Sequence, residues 1–131
     1  MLKKINLKTA GIISVVIAMI TITIHTLVIL KVMPFTWING GRSGTFEIAK
    51  QTSTISIIIL IAGIFISLWA CGIIRYLKFT RVLTAILWIS FAYNCIGIIL
   101  QFLGTPFENL FTSILCIINA IVTYRLAIEK R

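Results

Sequence analysis

The sequence predicts an all-α integral membrane protein, a bundle of four transmembrane helices with both ends of the chain on the same side of the membrane. Of the 131 residues, 60% are hydrophobic and only 11% are charged, whereas a soluble domain has about 25% charged residues. The mean hydropathy is +1.11. A water-soluble fold of this size would lack the polar side chains to cover its surface. Four apolar stretches predict the four helices, and the basic residues outside them predict the orientation.

Each apolar stretch is suited to one membrane-spanning helix, which takes about 20 residues to cross the hydrocarbon core. None contains a charged residue, and only the first contains a histidine, His25; the stretches are residues 9–30, 51–74, 82–107 and 109–124. The fourth is the shortest, and it spans if the helix continues past Arg125 with that side chain reaching the interface. We therefore predict one transmembrane domain over residues 1–131, with helices at about 9–31, 52–75, 82–103 and 106–127.

The basic residues divide nine to three across the predicted membrane. Nine lie at the two termini and between helices two and three: Lys3, Lys4, Lys8, Arg75, Lys78, Arg81, Arg125, Lys130 and Arg131. Three lie in the other loops: Lys31, Arg42 and Lys50. Because cytoplasmic loops are enriched in lysine and arginine, both termini are expected in the cytoplasm. The net charge of +9 then reflects topology, and no nucleic-acid partner is expected. The many Ile, Lys and Asn residues indicate AT-rich coding and a bacterial cell membrane.

A glycine, a proline and a capping sequence mark the connection between helices three and four. Gly104 suits the position just after a helix, where left-handed backbone is common. Thr105, Pro106 and Glu108 match the N-cap, first and third positions of a capping box. We therefore expect a tight antiparallel hairpin of helices three and four, with Glu108 as a cap and not as a catalytic acid.

The first outer loop, at about residues 32–51, holds the candidates for contact with a partner or ligand: Trp37, Asn39, Gly40, Gly41 and Arg42. The aromatic segment 33–38 is typical of residues at the lipid headgroup level, but aromatics beside a glycine-rich turn also bind ligands. Asn39-Gly40 is a hairpin-turn signal. A short two-stranded hairpin and an irregular loop leading into a helical turn at Glu47 and Lys50 both fit.

Small and polar residues recur at helical spacing in all four helices, which places each set on one face. In lipid, such residues join helices by close packing and hydrogen bonds, because apolar side chains gain nothing by leaving lipid tails. The sets are Ser14, Ala18, Thr21 and His25; Ser56, Gly63, Ser67 and Ala70; Ser90, Asn94, Gly97 and Gln101; and Thr112, Cys116, Asn119 and Thr123.

Counting outward from the hairpin turn brings the polar residues of helices three and four level with each other. The pairs are Gln101 with Thr112, Gly97 with Cys116, Asn94 with Asn119, and Ser90 with Thr123. We predict an amide contact between Asn94 and Asn119 near the middle of the membrane. The polar helix-interface candidates are Ser90, Asn94, Gln101, Thr112, Asn119 and Thr123.

A second interpretation of these polar groups is a substrate path. His25 lies near the outer end of helix one, at about the depth of Gln101 and Thr112, and the three form a candidate pocket open to the outside. Polar residues inside a membrane mark pathways in many transporters. Helix packing is favoured here because no Asp, Glu, Lys or Arg lies at mid-depth, where coupled carriers usually have one.

No catalytic, metal or cofactor site is expected. The three cysteines, Cys71, Cys95 and Cys116, are not clustered as a zinc site or disulfide framework requires. His25 has no acidic partner for general acid–base chemistry. The chain resembles small dimeric four-helix carriers only in length and helix count, and their acidic residue in the first helix has no counterpart. The sequence favours a non-enzymatic accessory protein that meets the lipid bilayer and binds a larger membrane protein or a second copy. The alternative is a small dimeric transporter, flippase or channel.

Overall fold

The computed structural model describes residues 5–74 and 80–129, and within these ranges all regular structure is helical. Helix α1 is Leu7–Ile29, α2 is Phe46–Ala70, α3 is Thr80–Phe102, and α4 is Ser113–Ala127, which follows a π-helical segment, Glu108–Thr112. Two short 3-10 turns, Phe35–Trp37 and Asn39–Gly41, lie between α1 and α2. With α4 counted from Glu108, four helices are long and apolar enough to cross a membrane.

The bounds of α2 differ from the sequence prediction at both ends. The helix begins at Phe46 instead of about residue 52, because the Thr45 side chain accepts a hydrogen bond from the N–H of Ile48 at 3.4 Å and so caps it. It ends at Ala70, two residues before Gly72, which has φ of 79°. This left-handed residue turns the chain so that the next two N–H groups bond the carbonyl of Leu68. The first loop is therefore shorter than predicted.

The other helices agree with the prediction to within about a turn, and each has a local reason for its ends. Asn6 caps α1 by accepting from the N–H of Lys8 at 2.9 Å. Lys31, just beyond α1, has φ of 58° and ends the helix. After the turn that follows α3, helical structure starts at Pro106, the position that the capping sequence predicts.

The four helices pack as two hairpins that are joined through α1 and α4. The hairpin of α1 with α2 and that of α3 with α4 are closely packed, and α1 also packs along α4. Contacts between α2 and α3 are few. The order across the molecule is therefore α2, α1, α4, α3. The sequence predicted a four-helix bundle. The helices are arranged in that order, but α2 and α3, which would have to pack together to close the bundle, make few contacts.

Apolar clusters hold the two ends of the helices together. At the end that carries the chain termini, here called the terminal end, buried residues of all four helices meet: Ala10, Ala70, Leu83, Leu87, Val122, Leu126 and Ala127, with Cys71 beside them. At the opposite end, here called the loop end, Ile24 and Val28 of α1 pack against Ile38 and the ring of Phe107. The loop is thus part of the packed structure.

Arg125 joins the terminal end of α4 to the start of the chain. Its Nε donates to the carbonyl of Ile5 at 2.9 Å, and its guanidinium forms an ion pair with Glu129 at 2.7 Å. The residue is only 6% exposed. The sequence requires the Arg125 side chain to reach the membrane interface if the short fourth stretch is to span; in the structure this side chain is buried and bonds two acceptors.

Two helical glycines provide a test of this packing. A Cβ on Gly11 would overlap the side chain of Cys71, whereas a Cβ on Gly63 would meet nothing within 4 Å. We expect Gly11→Ala to lower the free energy of unfolding by about 1–3 kcal/mol, as overpacking does. Gly63→Ala should leave it unchanged or slightly raised, by up to about 1 kcal/mol. Unfolding titrations in mixed micelles measure both, and equal effects would contradict the close approach of α1 to Cys71.

Candidate functional site

A chain of side-chain hydrogen bonds crosses all four helices. Ser67 of α2 bonds Ser14 of α1 at 3.0 Å, and the Ser14 hydroxyl donates to Asn119 Oδ1 of α4 at 2.9 Å. The Nδ2 of Asn119 donates to Oδ1 of Asn94 in α3 at 3.0 Å. The Nδ2 of Asn94 then donates to the carbonyl of Ser90 at 2.8 Å. One connected set of polar atoms therefore links the two hairpins.

All the bonds of this polar chain run in the same direction. The carboxamide oxygen of Asn119 only accepts, so the single hydroxyl hydrogen of Ser14 is committed to it. Ser67 must therefore be the donor in the serine pair. Ser14, Asn119 and Asn94 each accept a hydrogen bond from the preceding group and donate one to the next, in the direction from α2 to α3. Bonds that are arranged in this way polarise one another and become stronger in a medium of low dielectric constant.

The register predicted for α3 against α4 has direct counterparts in the structure. Asn94 and Asn119 form the predicted amide contact. The Thr112 hydroxyl donates to the side chain of Gln101, and the Cys116 Sγ lies 3.1 Å from where a Cβ on Gly97 would stand. In the described part of the chain, Ser90 and Thr123 share no hydrogen bond. Thr123 is instead buried, at 5% exposure.

The residues of the predicted pocket, His25, Gln101 and Thr112, take part in two separate hydrogen bonds. The Nδ1 of His25 lies 3.1 Å from the hydroxyl of Ser53, a fully buried residue of α2. Gln101 and Thr112 bond each other in the other hairpin. His25 therefore bonds across the contact between α1 and α2, and within the described residues no hydrogen bond joins it to Gln101 or Thr112.

Glu108 organises the loop end. Its carboxylate accepts from the backbone N–H of Thr105 at 2.9 Å, and its own N–H donates to the Thr105 hydroxyl at 3.3 Å, which is the predicted capping box. The carboxylate also accepts from the N–H of Gly40 in the first loop, at 3.0 and 2.9 Å to its two oxygens. Glu108 is 6% exposed. The sequence indicated the cap but not the bond to the loop.

The backbone of the loop is shaped to reach this carboxylate. Asn39, Gly40 and Gly41 have φ of 57°, 67° and 65° in succession, a left-handed conformation that glycine adopts without steric cost. Of the two loop structures that fit the sequence, the irregular one is present, and residues 30–45 contain no strand. A second bond, from the Thr105 hydroxyl to the carbonyl of Trp37 at 2.5 Å, fixes the same loop to the hairpin turn.

The five loop residues predicted to contact a partner or ligand differ in exposure and in role. Gly40 and Gly41 set the backbone, and Asn39 is half-buried with its Nδ2 atom unbonded in the described structure. Trp37 and Arg42 are exposed. The Trp37 ring rests against Phe107, with centroids 5.7 Å apart, and leaves 48% of the residue exposed. Arg42 has no carboxylate within 4.0 Å in the described ranges.

The described residues contain no group of three or more His, Cys, Asp or Glu side chains that could hold a metal ion. No family model, curated protein or solved structure matches this chain. Its four candidate spans define a small polytopic membrane protein. Two polar centres remain as its candidate sites: the chain of hydrogen bonds between the helices, and the loop end that Glu108 holds together.

A double-mutant cycle on Asn94→Leu and Asn119→Leu measures the amide contact. We expect a coupling free energy of about 0.5–2 kcal/mol, the range for side-chain hydrogen bonds between membrane helices. Ser56→Ala is the matched control in a cycle with Asn94→Leu, because the side chain of Ser56 has no hydrogen bond within the described residues. Additive effects of the two asparagine substitutions, with no more coupling than the Ser56 cycle gives, would refute the contact.

The Glu108→Gln substitution tests whether the hydrogen bonds from Gly40 to the Glu108 carboxylate fix the first loop. It keeps the size of the side chain but removes the charge that two backbone N–H groups share, and hydrogen bonds to a charged group contribute about 1.5–3 kcal/mol. Amide hydrogen exchange at Gly40 should become at least about tenfold faster. Glu47→Gln, on the exposed first turn of α2, is the control and should not alter exchange at Gly40. Unchanged exchange in the Glu108 variant would show that other contacts fix the loop.

Proposed function

We propose that this chain is a non-enzymatic accessory protein of a bacterial cytoplasmic membrane, which binds a larger membrane protein through its loop end. The observation that supports this most is the fixed loop, in which Glu108 and Thr105 hold the backbone while Trp37 and Arg42 remain exposed. Tryptophan and arginine are the residue types that most often dominate binding energy at protein interfaces.

A fixed loop favours binding because little conformational entropy is lost when the partner docks. Two contacts with the α3–α4 turn and one with the start of α2 order this loop. Gly40 bonds Glu108, the carbonyl of Trp37 bonds Thr105, and the Lys31 ammonium lies 4.4 Å from the centroid of the Phe46 ring. A loop that served only to connect two helices would need none of them.

The proposed orientation places the loop end outside and both termini in the cytoplasm. It rests on the nine-to-three division of basic residues. The helices support the division, since Lys31, Arg42 and Lys50 lie at the loop end and the described residues Lys8 and Arg125 at the terminal end. The partner surface would then face the outside of the cell or the outer part of the membrane.

The alternative, a small dimeric transporter, flippase or channel, has weaker support. It would need polar groups in the spans that are available to a substrate. Ser14, Asn94 and Asn119 instead bond one another between the helices. The open seam between α2 and α3 is the feature that such a protein would use, and a homodimer could form along it.

Photo-cross-linking from the loop tests the accessory role. A photoreactive residue replaces Thr36 or Gly44, both exposed loop positions, and Ile59 of α2 serves as the lipid-facing control. We expect one dominant foreign membrane protein from both loop positions and not from Ile59. Adding Trp37→Ala or Glu108→Gln should weaken that adduct, and a reciprocal probe on the partner should recover this chain.

Other adducts would contradict the proposal in distinct ways. Adducts with a second copy of the chain would indicate a homodimer as the functional unit. Lipid adducts alone, from the loop and from Ile59 equally, would favour a self-contained carrier or channel. Flux assays on variants of Asn94 and Asn119 would then become the next experiment.

A further inference from the structure

An apolar groove runs down the outside of the loop end beside a row of three aromatic rings. The Trp37 and Phe107 centroids lie 5.7 Å apart, and those of Phe107 and Phe111 lie 5.5 Å apart in a stacked arrangement. Thr105, Pro106 and Leu110 complete the lining. Leu110 is 73% exposed and Phe111 45%. Large apolar side chains are therefore presented outward along one continuous strip.

The groove follows the direction that a lipid chain takes in a bilayer. Phe107 and Phe111 are one helical turn apart, so the ring row continues along the helix axis from the α3–α4 turn toward the centre of the membrane. Trp37 stands at its upper end, at the level where tryptophan meets lipid headgroups. A partner that fills such a strip along its length is an extended acyl chain.

Arg42 supplies a positive charge in the same loop as Trp37, which lines the groove. The Arg42 side chain folds over Gly40, with its Nε 3.1 Å from where a Cβ on that glycine would stand. Gly41 is next in the loop, and a Cβ on it would stand 3.4 Å from the Cγ2 atom of Thr105, which lines the groove. The nearby carboxylate of Glu108 is buried and occupied by N–H donors. An arginine with no carboxylate partner in the described structure suits a phosphate, which it can bind through two parallel hydrogen bonds.

We propose that the groove binds one phospholipid with an anionic headgroup, its acyl chain along Trp37, Phe107 and Phe111 and its phosphate on Arg42. This binding goes beyond the accessory role and does not require a protein partner. The other loop-end cations are placed differently. Lys31 covers the ring of Phe46, and Lys50 lies in the second turn of α2, whereas Arg42 directly follows Gly41, the loop residue next to Thr105 of the groove lining.

Fluorescence quenching of Trp37 tests the proposal directly. The full chain carries Trp69→Phe and Trp88→Phe, which leave Trp37 as its sole tryptophan, and is reconstituted in phosphatidylcholine bilayers. Phosphatidylglycerol or phosphatidylcholine with brominated chains is then added in increasing proportion. We expect half-quenching at about fivefold less brominated phosphatidylglycerol than phosphatidylcholine, the selectivity that one well-placed cation near anionic lipid provides.

Arg42→Gln and Lys50→Gln separate a site from general surface charge. Both remove one exposed loop-end cation. Arg42→Gln should abolish the preference for phosphatidylglycerol, and Lys50→Gln should preserve it. No preference in the parent chain, or an equal loss in both variants, would overturn the proposal. Native mass spectrometry of the unmodified chain gives a second readout that needs no tryptophan replacement: retained phosphatidylglycerol should be lost with Arg42→Gln only, and the same adducts in all three proteins would also overturn it.

Discussion

Lipid removes the force that holds most folded proteins together, because apolar side chains gain nothing by leaving one hydrocarbon environment for another. The polar atoms that remain inside the membrane must therefore do much of the joining. In this protein they do so through one set of hydrogen bonds, from Ser67 through Ser14 and Asn119 to Asn94. The set joins α2 to α1 within one hairpin, α1 to α4 between hairpins, and α4 to α3 within the other. The central position of α1 and α4 follows from it.

The same principle explains the loop end. A buried carboxylate is costly unless donors surround it, and Glu108 finds them in the backbones of Thr105 and Gly40. Satisfying Glu108 therefore requires the first loop to lie against the turn between α3 and α4. The result is a rigid surface formed from two distant parts of the sequence, with Trp37 and Arg42 exposed on it. Both the proposed partner and the proposed lipid use this surface.

Local signals in the sequence predicted the features that depend on neighbouring residues. Contacts between residues far apart in the sequence were not predicted. The capping box at Thr105 and Glu108 fixed the start of the fourth helix, and the short turn fixed which residues of α3 and α4 face each other, including Asn94 and Asn119. Nothing local determines how α1 is rotated against α2 and α4. The hydrogen bond between His25 and Ser53 and the bond from Gly40 to Glu108 were therefore not predicted.

The contact between Asn94 and Asn119 carries the connection between the hairpins on to α3, so without it the set of hydrogen bonds would not reach all four helices. Solid-state NMR of the chain in lipid bilayers, with asparagine labelled in carbon-13 and nitrogen-15, observes it directly. The structure predicts a through-space correlation between the side-chain nitrogen of Asn119 and the carboxamide carbon of Asn94, and its loss in an Asn94→Leu variant. Correlations of both side chains with water or lipid alone would contradict the account of how these helices are held together.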